Sequence, residues 1–187
     1  MSVYDLTGRK ALVTGGARGL GAGMAEALAR AGASVVIGDI REELGQATVD
    51  AIKKSGGDAA FQPLNVTDEH SWERCIEGTI AELGGLDIVV NNAGVEITQL
   101  VVDLNPDDIR KMLDVNVLGT ALGIKHAFRA MRPGGPAGRG GCRGPCGDEP
   151  GAGLAAAGRQ VRRAAGPAGR RRAPDAGRAR LRPYQPA

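Results

Sequence analysis

A glycine-rich stretch at residues 13–21 constrains the fold of this chain more than any other feature. It reads Val-Thr-Gly-Gly-Ala-Arg-Gly-Leu-Gly, with glycines at the spaced positions Gly15, Gly19 and Gly21. An apolar run precedes it, and apolar residues recur at helical spacing after it, at positions 20, 24 and 28. Glycines permit a tight strand-to-helix turn and leave N–H groups at the helix N-terminus free to bind a pyrophosphate. The stretch predicts a nucleotide-binding turn, with an ordinary glycine-rich turn as the alternative.

Composition divides the chain near residue 133. Residues 1–132 carry 13 Lys and Arg against 18 Asp and Glu, whereas residues 133–187 carry 11 Arg against 3 acidic residues. Of the last 55 residues, 44 are Gly, Ala, Arg or Pro, which leaves almost no side chains with which to build a core. We therefore expect a folded domain over residues 1–132 and a disordered tail over residues 133–187.

Several protein classes are not indicated. No early run combines a basic flank with a long apolar region, and no 18 consecutive residues are apolar. We therefore expect neither secretion nor a membrane span, and a cytoplasmic location follows by default. The three cysteines are too few for a disulfide framework. Cys142 and Cys146 have the spacing of half a metal site, but the tail has no His and no second Cys pair, so we expect no metal.

Predicted strands and helices alternate through the first half of the chain. Strands are predicted at residues 10–14, 34–38, 59–64 and 86–90, and helices at residues 19–31 and 42–55. A third helix is predicted to start with Thr67 as its N-cap and to end near residue 83. This alternation predicts an α/β fold with a doubly wound parallel sheet.

A last helix is predicted to start at Asn105-Pro106 and to continue to residue 132, because Asn caps helices and Pro fits their first turn. We interpret Lys125 and His126 as outer-face residues of this helix. On the third helix, His70 and Trp72 are interpreted as surface or packing residues.

Asp39 stands at the end of the second predicted strand, 18 residues beyond Gly21. A carboxylate at this place accepts hydrogen bonds from the adenosine ribose hydroxyls and repels a 2′-phosphate, which favours NAD over NADP. Arg18 and Arg41 would stabilise a phosphate instead. A simple helix-capping role for Asp39 is the other interpretation that the sequence leaves open.

Polar turns follow the third and fourth predicted strands, Asn65-Val66 and Asn91-Asn92-Ala93-Gly94. With T-G-x-x-x-G-x-G and Asp39, their order resembles the short-chain dehydrogenase/reductase family. The resemblance implies a Rossmann-like sheet of order 3-2-1-4 and NAD-dependent interconversion of a secondary alcohol and a ketone. The family commonly has Asp where Asn65 stands, but an Asn oxygen still accepts a bond from the adenine amino group. The implied cofactor contacts are Gly15, Arg18, Gly19, Leu20, Gly21, Asp39, Asn65, Val66, Asn92, Ala93 and Gly94.

The same resemblance bears on catalysis. Asn116 matches the helix asparagine of the family's catalytic set, whose backbone carbonyl holds a water in a proton relay. The family continues with a strand ending in the catalytic Ser and a helix bearing Tyr-x-x-x-Lys. This sequence has its last Ser at position 71, its last Lys at position 125 and tyrosines only at positions 4 and 184. Since that Tyr exchanges the proton with the substrate, we expect the chain to be catalytically inactive, and a non-catalytic NAD-binding protein is the alternative.

The sequence also bears on two kinds of macromolecular partner, a second copy of the chain and a polyanion. The family implies a homo-oligomer, which a chain lacking those elements is not expected to assemble properly. The basic tail, including residues 170–172, offers phosphate neutralisation of a nucleic acid or another polyanion. Because the tail has one aromatic residue and no amphipathic pattern, we expect it to be solvated rather than bound to nucleic acid.

The tail's composition also predicts its genetic origin. Gly, Ala, Arg and Pro have codons with G or C at the first two positions, so a GC-rich gene read in a shifted frame gives such a sequence. We predict a frame change between residues 139 and 142. A neighbouring frame should encode a β-branched strand ending in Ser and, shortly after it, Tyr-x-x-x-Lys. The nucleotide sequence around codons 135–145 tests this, and stop codons or no such motif in both other frames would contradict it.

Overall fold

The computed structural model describes residues 5–132 and 134–137. Strands and helices alternate in the order that the sequence predicts, and most of their ends agree within one residue. The strands are β1 (Lys10–Thr14), β2 (Ser34–Asp39), β3 (Asp58–Pro63) and β4 (Ile88–Val90), and the helices are α1 (Gly19–Arg30), α2 (Glu42–Lys54), α3 (Glu69–Leu83), α4 (Pro106–Leu113) and α5 (Gly119–Met131). A 3₁₀ turn covers Val101–Asp103, and a π-helical segment, Asp114–Leu118, joins α4 to α5.

The four strands form one parallel sheet of order β3-β2-β1-β4. Leu12 of β1 aligns with Val36 of β2 on one side and with Val89 of β4 on the other. The predicted doubly wound sheet and its 3-2-1-4 order are confirmed.

Helices cover both faces of the sheet, as a parallel sheet with apolar strands requires. Alternate residues of β1 and β2 point to opposite faces. One set packs with buried residues of α1 and α2, including Val49 and Ile52. The other set packs with buried residues of α3 and α5, including Trp72 and Leu122. Each sheet face thus has its own apolar cluster, and the strand ends are left to line a site.

Two sequence interpretations of residues on the third and last helices are wrong. Asp68, not Thr67, caps α3, because the Asp68 carboxylate accepts the N–H groups of His70 at 3.2 Å and Ser71 at 3.0 Å. His126 does not lie on the outer face of its helix; it is only 5% exposed. The other three interpretations agree with the structure, since Trp72 is buried and His70 and Lys125 are not.

The last predicted helix is present but not uniform. Asn105 caps it as expected, with its side-chain oxygen accepting the Asp107 N–H at 3.0 Å. Leu113 and Leu118 at the two junctions keep right-handed helical dihedrals, so the chain runs continuously from α4 to α5 through the π segment. The buried face of α5 consists of small residues and one leucine, Gly119, Leu122, Gly123, Ala127 and Ala130, whereas Ile124 and Phe128 are exposed. His126 lies on this buried face at helical spacing from Leu122 and Ala130, and it therefore faces inward.

Only the start of the predicted tail falls within the described residues. The Ala137 N–H donates to the Ala130 carbonyl at 3.1 Å, and the Ala137 side chain joins the cluster beneath α3 and α5. The remainder of the tail, with Cys142 and Cys146, lies outside the described residues. Cys75 is buried on α3, and burial raises the pKa of its thiol to about 12, which keeps the thiol protonated.

Apolar surface remains open at β4 and along the last helices. Among the described strands, β4 pairs with β1 alone, and its three residues are half-buried. Leu113, Val117, Ile124 and Phe128 recur at helical spacing and are exposed, with Phe128 74% accessible. Unpaired strand edges and contiguous apolar patches both favour association.

We predict that the purified chain self-associates through this surface. The double change Ile124→Glu and Phe128→Glu should raise the monomer fraction measured by size-exclusion chromatography with light scattering, because it places charge on the exposed stripe. As a control, Lys53→Glu with Lys54→Glu changes exposed residues of α2 and should leave the fraction unchanged. A monodisperse wild-type monomer with a cooperative melt above roughly 45 °C would contradict this prediction.

Candidate functional site

A cleft of about 830 Å³ opens where the four strands end. Its wall comes from the turns after β1, β2, β3 and β4, because the carboxyl ends of parallel strands meet at one edge of the sheet. The structure brings together every residue that the sequence singled out for cofactor contact. These are Gly15, Arg18, Gly19, Leu20, Gly21, Asp39, Asn65, Val66, Asn92, Ala93 and Gly94.

The glycine turn lies in direct contact with the turn after β4. A Cβ atom on Gly15, whose φ is +63°, would stand 2.8 Å from the Ala93 Cα. A Cβ on Gly21 would stand 2.2 Å from the Gly15 carbonyl oxygen and 2.6 Å from Asn92 Nδ2. Real side chains do not tolerate such distances, so both positions require glycine for the turn to close.

Hydrogen bonds fix this contact. The buried Thr14 hydroxyl accepts the backbone N–H groups of Asn92 and Ala93, each at 3.0 Å. In return, Asn92 Nδ2 donates to the carbonyls of Thr14 at 2.9 Å and Gly15 at 3.2 Å. The Asn-Asn-Ala-Gly turn thereby holds the glycine turn in one position.

The N-terminus of α1 points into the cleft without a capping group. Arg18 is the N-cap residue, and no side chain of the described residues caps the helix, nor does its first turn contain an acidic residue. Gly19, at φ +58°, has open space where a Cβ would be. Free N–H groups, the positive end of the helix dipole and room for close approach together fit a pyrophosphate group.

Asp39 is fixed at the end of β2 beside the glycine turn. Its carboxylate accepts the N–H of Ala17 at 3.1 Å and that of Arg41 at 3.0 Å, and its side chain is only 5% exposed. Arg41, not Asp39, occupies the N-cap position of α2, so the helix-capping interpretation of Asp39 is wrong. Arg18 and Arg41 also line the cleft, which places cations on the same wall as this carboxylate.

The turn after β3 forms the opposite side of the cleft. The Asn65 side-chain oxygen accepts both the N–H of Thr67, at 3.1 Å, and its hydroxyl, at 2.9 Å. The carbonyl of Val66 accepts the indole N–H of Trp72 at 2.9 Å. This side of the cleft is therefore fixed to α3.

Asn116 lies in the π segment, next to the cleft residue Val115. Its side chain forms two hydrogen bonds with the backbone of Val95: it accepts the Val95 N–H and donates to the Val95 carbonyl, both at 2.9 Å. Its own backbone carbonyl accepts the Thr120 hydroxyl at 2.8 Å. π turns are frequent at functional sites, and here the turn ties the segment after β4 to the last helices.

Sequence reasoning missed the wall that α4 contributes. Asp107, Arg110 and Lys111 of α4 line the cleft, together with Asp114 at the start of the π segment. The helix itself was predicted, but its charged residues look like an ordinary solvated face, and only tertiary packing shows which of them meet the cleft.

Known proteins share this arrangement. The sequence profile described as "short chain dehydrogenase" matches residues 9–141. The chain belongs to the short-chain dehydrogenase family. No helix among residues 5–132 of this chain is long and apolar enough to cross a membrane.

Individual relatives extend beyond the part that this chain matches. It is 42% identical over 123 residues to a 2,5-dichloro-2,5-cyclohexadiene-1,4-diol dehydrogenase of Sphingobium indicum, covering 66% of this chain and 49% of the relative. It is 39% identical over 121 residues to a cyclopentanol dehydrogenase of Comamonas testosteroni, covering 65% and 48%. The chain spans about half the length of these curated relatives.

A solved structure agrees with the fold. A short chain dehydrogenase from Burkholderia cenocepacia, crystallised in complex with NADP, is 38% identical and superposes with a TM-score of 0.62. The match covers 66% of this chain and 51% of that one. Short-chain dehydrogenases bind a nicotinamide dinucleotide, and the cleft is the place in this fold that fits one.

Two glycines of α1 provide a matched test of the cleft geometry. Gly21→Ala should destabilise the chain by about 1–3 kcal/mol, because its Cβ overlaps the Gly15 carbonyl. Gly23→Ala should stabilise it by about 0.5–1 kcal/mol, because the added Cβ meets nothing within 4 Å and alanine favours a helix. Urea unfolding followed by Trp72 fluorescence measures both. A Gly21→Ala variant as stable as the wild type would show that the turn is less constrained than its distances indicate.

Proposed function

We propose that this chain binds NAD in preference to NADP and descends from an enzyme that interconverts a secondary alcohol and a ketone. The observation that carries the cofactor preference is the Asp39 carboxylate, fixed by two backbone N–H groups and nearly buried beside the glycine turn. A 2′-phosphate next to this carboxylate would meet a like charge in a partly desolvated site.

The cations of the cleft act in the other direction. Arg18 and Arg41 line the same wall, and Arg41 Nε lies 4.0 Å from Asp39 Oδ1. Their side chains are long and partly exposed, so their attraction for a phosphate is screened by water, whereas the carboxylate is held in place. We infer that the fixed charge decides the preference.

Each part of the cleft has a role toward the dinucleotide. The turn at Gly15–Gly21 and the N-terminus of α1 hold the pyrophosphate, Asp39 binds the ribose hydroxyls, and Asn65 and Val66 bound the adenine. Asn92, Ala93 and Gly94 hold the glycine turn and line the adenosine side. The bound nicotinamide supplies the hydride donor or acceptor.

We further propose that the 187 residues bind the cofactor without catalysing turnover. The family's proton donor and its activating cation form a Tyr-x-x-x-Lys motif, which occurs nowhere in this sequence. Asn116 alone remains of the catalytic set, and its carbonyl is bonded to Thr120. Loss of general acid–base catalysis costs about 10²–10⁴-fold in rate, and the substrate-positioning Ser has no counterpart either.

The composition supports different roles for the two parts of the chain. Residues 1–132 would form the dinucleotide-binding unit. Of residues 133–187, those beyond the predicted frame change at residues 139–142 would contribute nothing to it, because their sequence would derive from another reading frame.

A charge-removal pair tests the proposal. Calorimetry should find NAD bound more tightly than NADP, and Asp39→Asn should shrink that ratio by about tenfold or more, equivalent to about 1.4 kcal/mol. Asp58→Asn removes an exposed carboxylate at the start of β3 and should leave the ratio unchanged. With NAD bound, cyclopentanol should produce no NADH absorbance above background. Equal affinity for both dinucleotides, or an unchanged ratio in Asp39→Asn, would refute the cofactor preference, and turnover within tenfold of a full-length relative would refute the inactivity.

A further inference from the structure

His126 is one of two histidines in the chain and is buried between α5 and α3. Its ring lies parallel to that of Trp72, with the ring centroids 6.3 Å apart and an interplanar angle of 3°. Trp72 is fully buried and is the only tryptophan of the sequence. The imidazole therefore forms one wall of the pocket that holds the indole.

The polar surroundings of His126 fit a neutral ring. Its Nε2 atom is buried and has no hydrogen-bond partner among the described residues. The nearest carboxylate oxygen, Glu69 Oε1, is 3.6 Å away and already accepts a hydrogen bond from Lys125. Arg129 lies 3.9 Å from the same oxygen, and Glu73 is a more distant acidic neighbour on α3.

A proton on His126 would enter a crowded site. It would add a third cation to Lys125 and Arg129, which already share Glu69. Burial lowers the pKa of His126, and Glu69 opposes that shift. The fold therefore favours the neutral ring. The contribution of the neutral ring to the free energy of unfolding is complete above pH 6.5, the ordinary pKa of histidine. It is lost as the pH falls from there toward the lowered pKa that His126 has in the folded chain.

Trp72 connects this site to the cleft. Its indole N–H donates to the carbonyl of Val66 at 2.9 Å, and Val66 lines the cleft beside Asn65. The Val66 side chain is held against Gly119, where a Cβ would approach it to 2.8 Å. A displacement of the indole would thus move a residue of the cleft wall.

We propose that His126 is a positioning residue for the dinucleotide cleft: its neutral ring holds Trp72, and through Trp72 the Val66 wall, so that protonation of the ring weakens dinucleotide binding. This inference rests on the proposed function. It assigns a role to a residue that touches neither the cofactor nor the cleft.

The sole tryptophan reports the protonation directly, because a protonated imidazole quenches an indole that it contacts. The fluorescence of the full chain should fall in a single step as the pH is lowered below about 6.5. His126→Phe keeps a flat ring that takes no proton, and it should lose the step. His70→Gln removes the other histidine, which is exposed on α3 and pairs with Glu73, and it should keep the step. Glu69→Gln should move the midpoint to lower pH, because Glu69 favours the protonated ring.

Calorimetric titration with NAD then tests the coupling. Between about pH 8 and about pH 5, NAD affinity should fall by about fivefold or more in the wild type and in His70→Gln, and by less in His126→Phe. If His126 had a purely structural role, the change His126→Phe would weaken NAD binding equally at both pH values.

Other outcomes overturn the proposal in distinguishable ways. A fluorescence step that is absent from the wild type, or that persists in His126→Phe, shows that the indole does not report this histidine and overturns it. If His126→Phe does not fold, the Glu69→Gln variant decides: a fluorescence midpoint at the same pH as in the wild type overturns the proposal. NAD bound with identical pH dependence in all variants overturns the positioning role and leaves the proposed function intact. No NAD binding at any pH overturns both.

Discussion

The close contact between two turns, one after β1 and one after β4, is the constraint on which the cleft depends. Backbone packs against backbone there, so that even a methyl group on Gly15 or Gly21 would overlap its neighbours. Thr14 and Asn92 hold the contact with four hydrogen bonds, and the burial of Thr14 strengthens them. Because α1 starts directly after this contact, the position of its N-terminus is fixed by the turn after β4 as well as by β1. Asn116 binds Val95, the residue that follows the turn after β4, and so joins this part of the chain to the last helices.

Features governed by local rules could be predicted from the sequence. Glycine spacing, the carboxylate at the end of β2 and the polar turns each follow from what a strand end or a tight turn allows. All eleven predicted cofactor contacts line one cleft, because parallel strands end at one edge of the sheet. The order of the strands, in contrast, came from resemblance to a family, since no local pattern determines which strands are neighbours.

Features that depend on tertiary packing could not be predicted. His126 was predicted on the outer face, but the larger apolar residues Ile124 and Phe128 are the exposed ones. The helix α5 packs instead through small residues, Leu122 and His126, a choice that depends on its neighbours in the fold. The cap of α3 shows the same limit on a smaller scale. Thr67 and Asp68 both suit a cap. In the structure the Asp68 carboxylate accepts two N–H groups of α3, while the Thr67 hydroxyl donates to Asn65. The charged residues of α4 gave no signal, because a solvated helix face and a cleft wall have the same composition.

The described wall of the cleft also lies early in the chain. Its wall residues lie between Gly15 and Val115, in a chain that spans about half the length of its relatives. During synthesis from the N-terminus, these wall residues are therefore made before any residue of α5. The order of translation thus places the described wall of the cleft ahead of the exposed apolar stripe, whose residues Ile124 and Phe128 lie on α5.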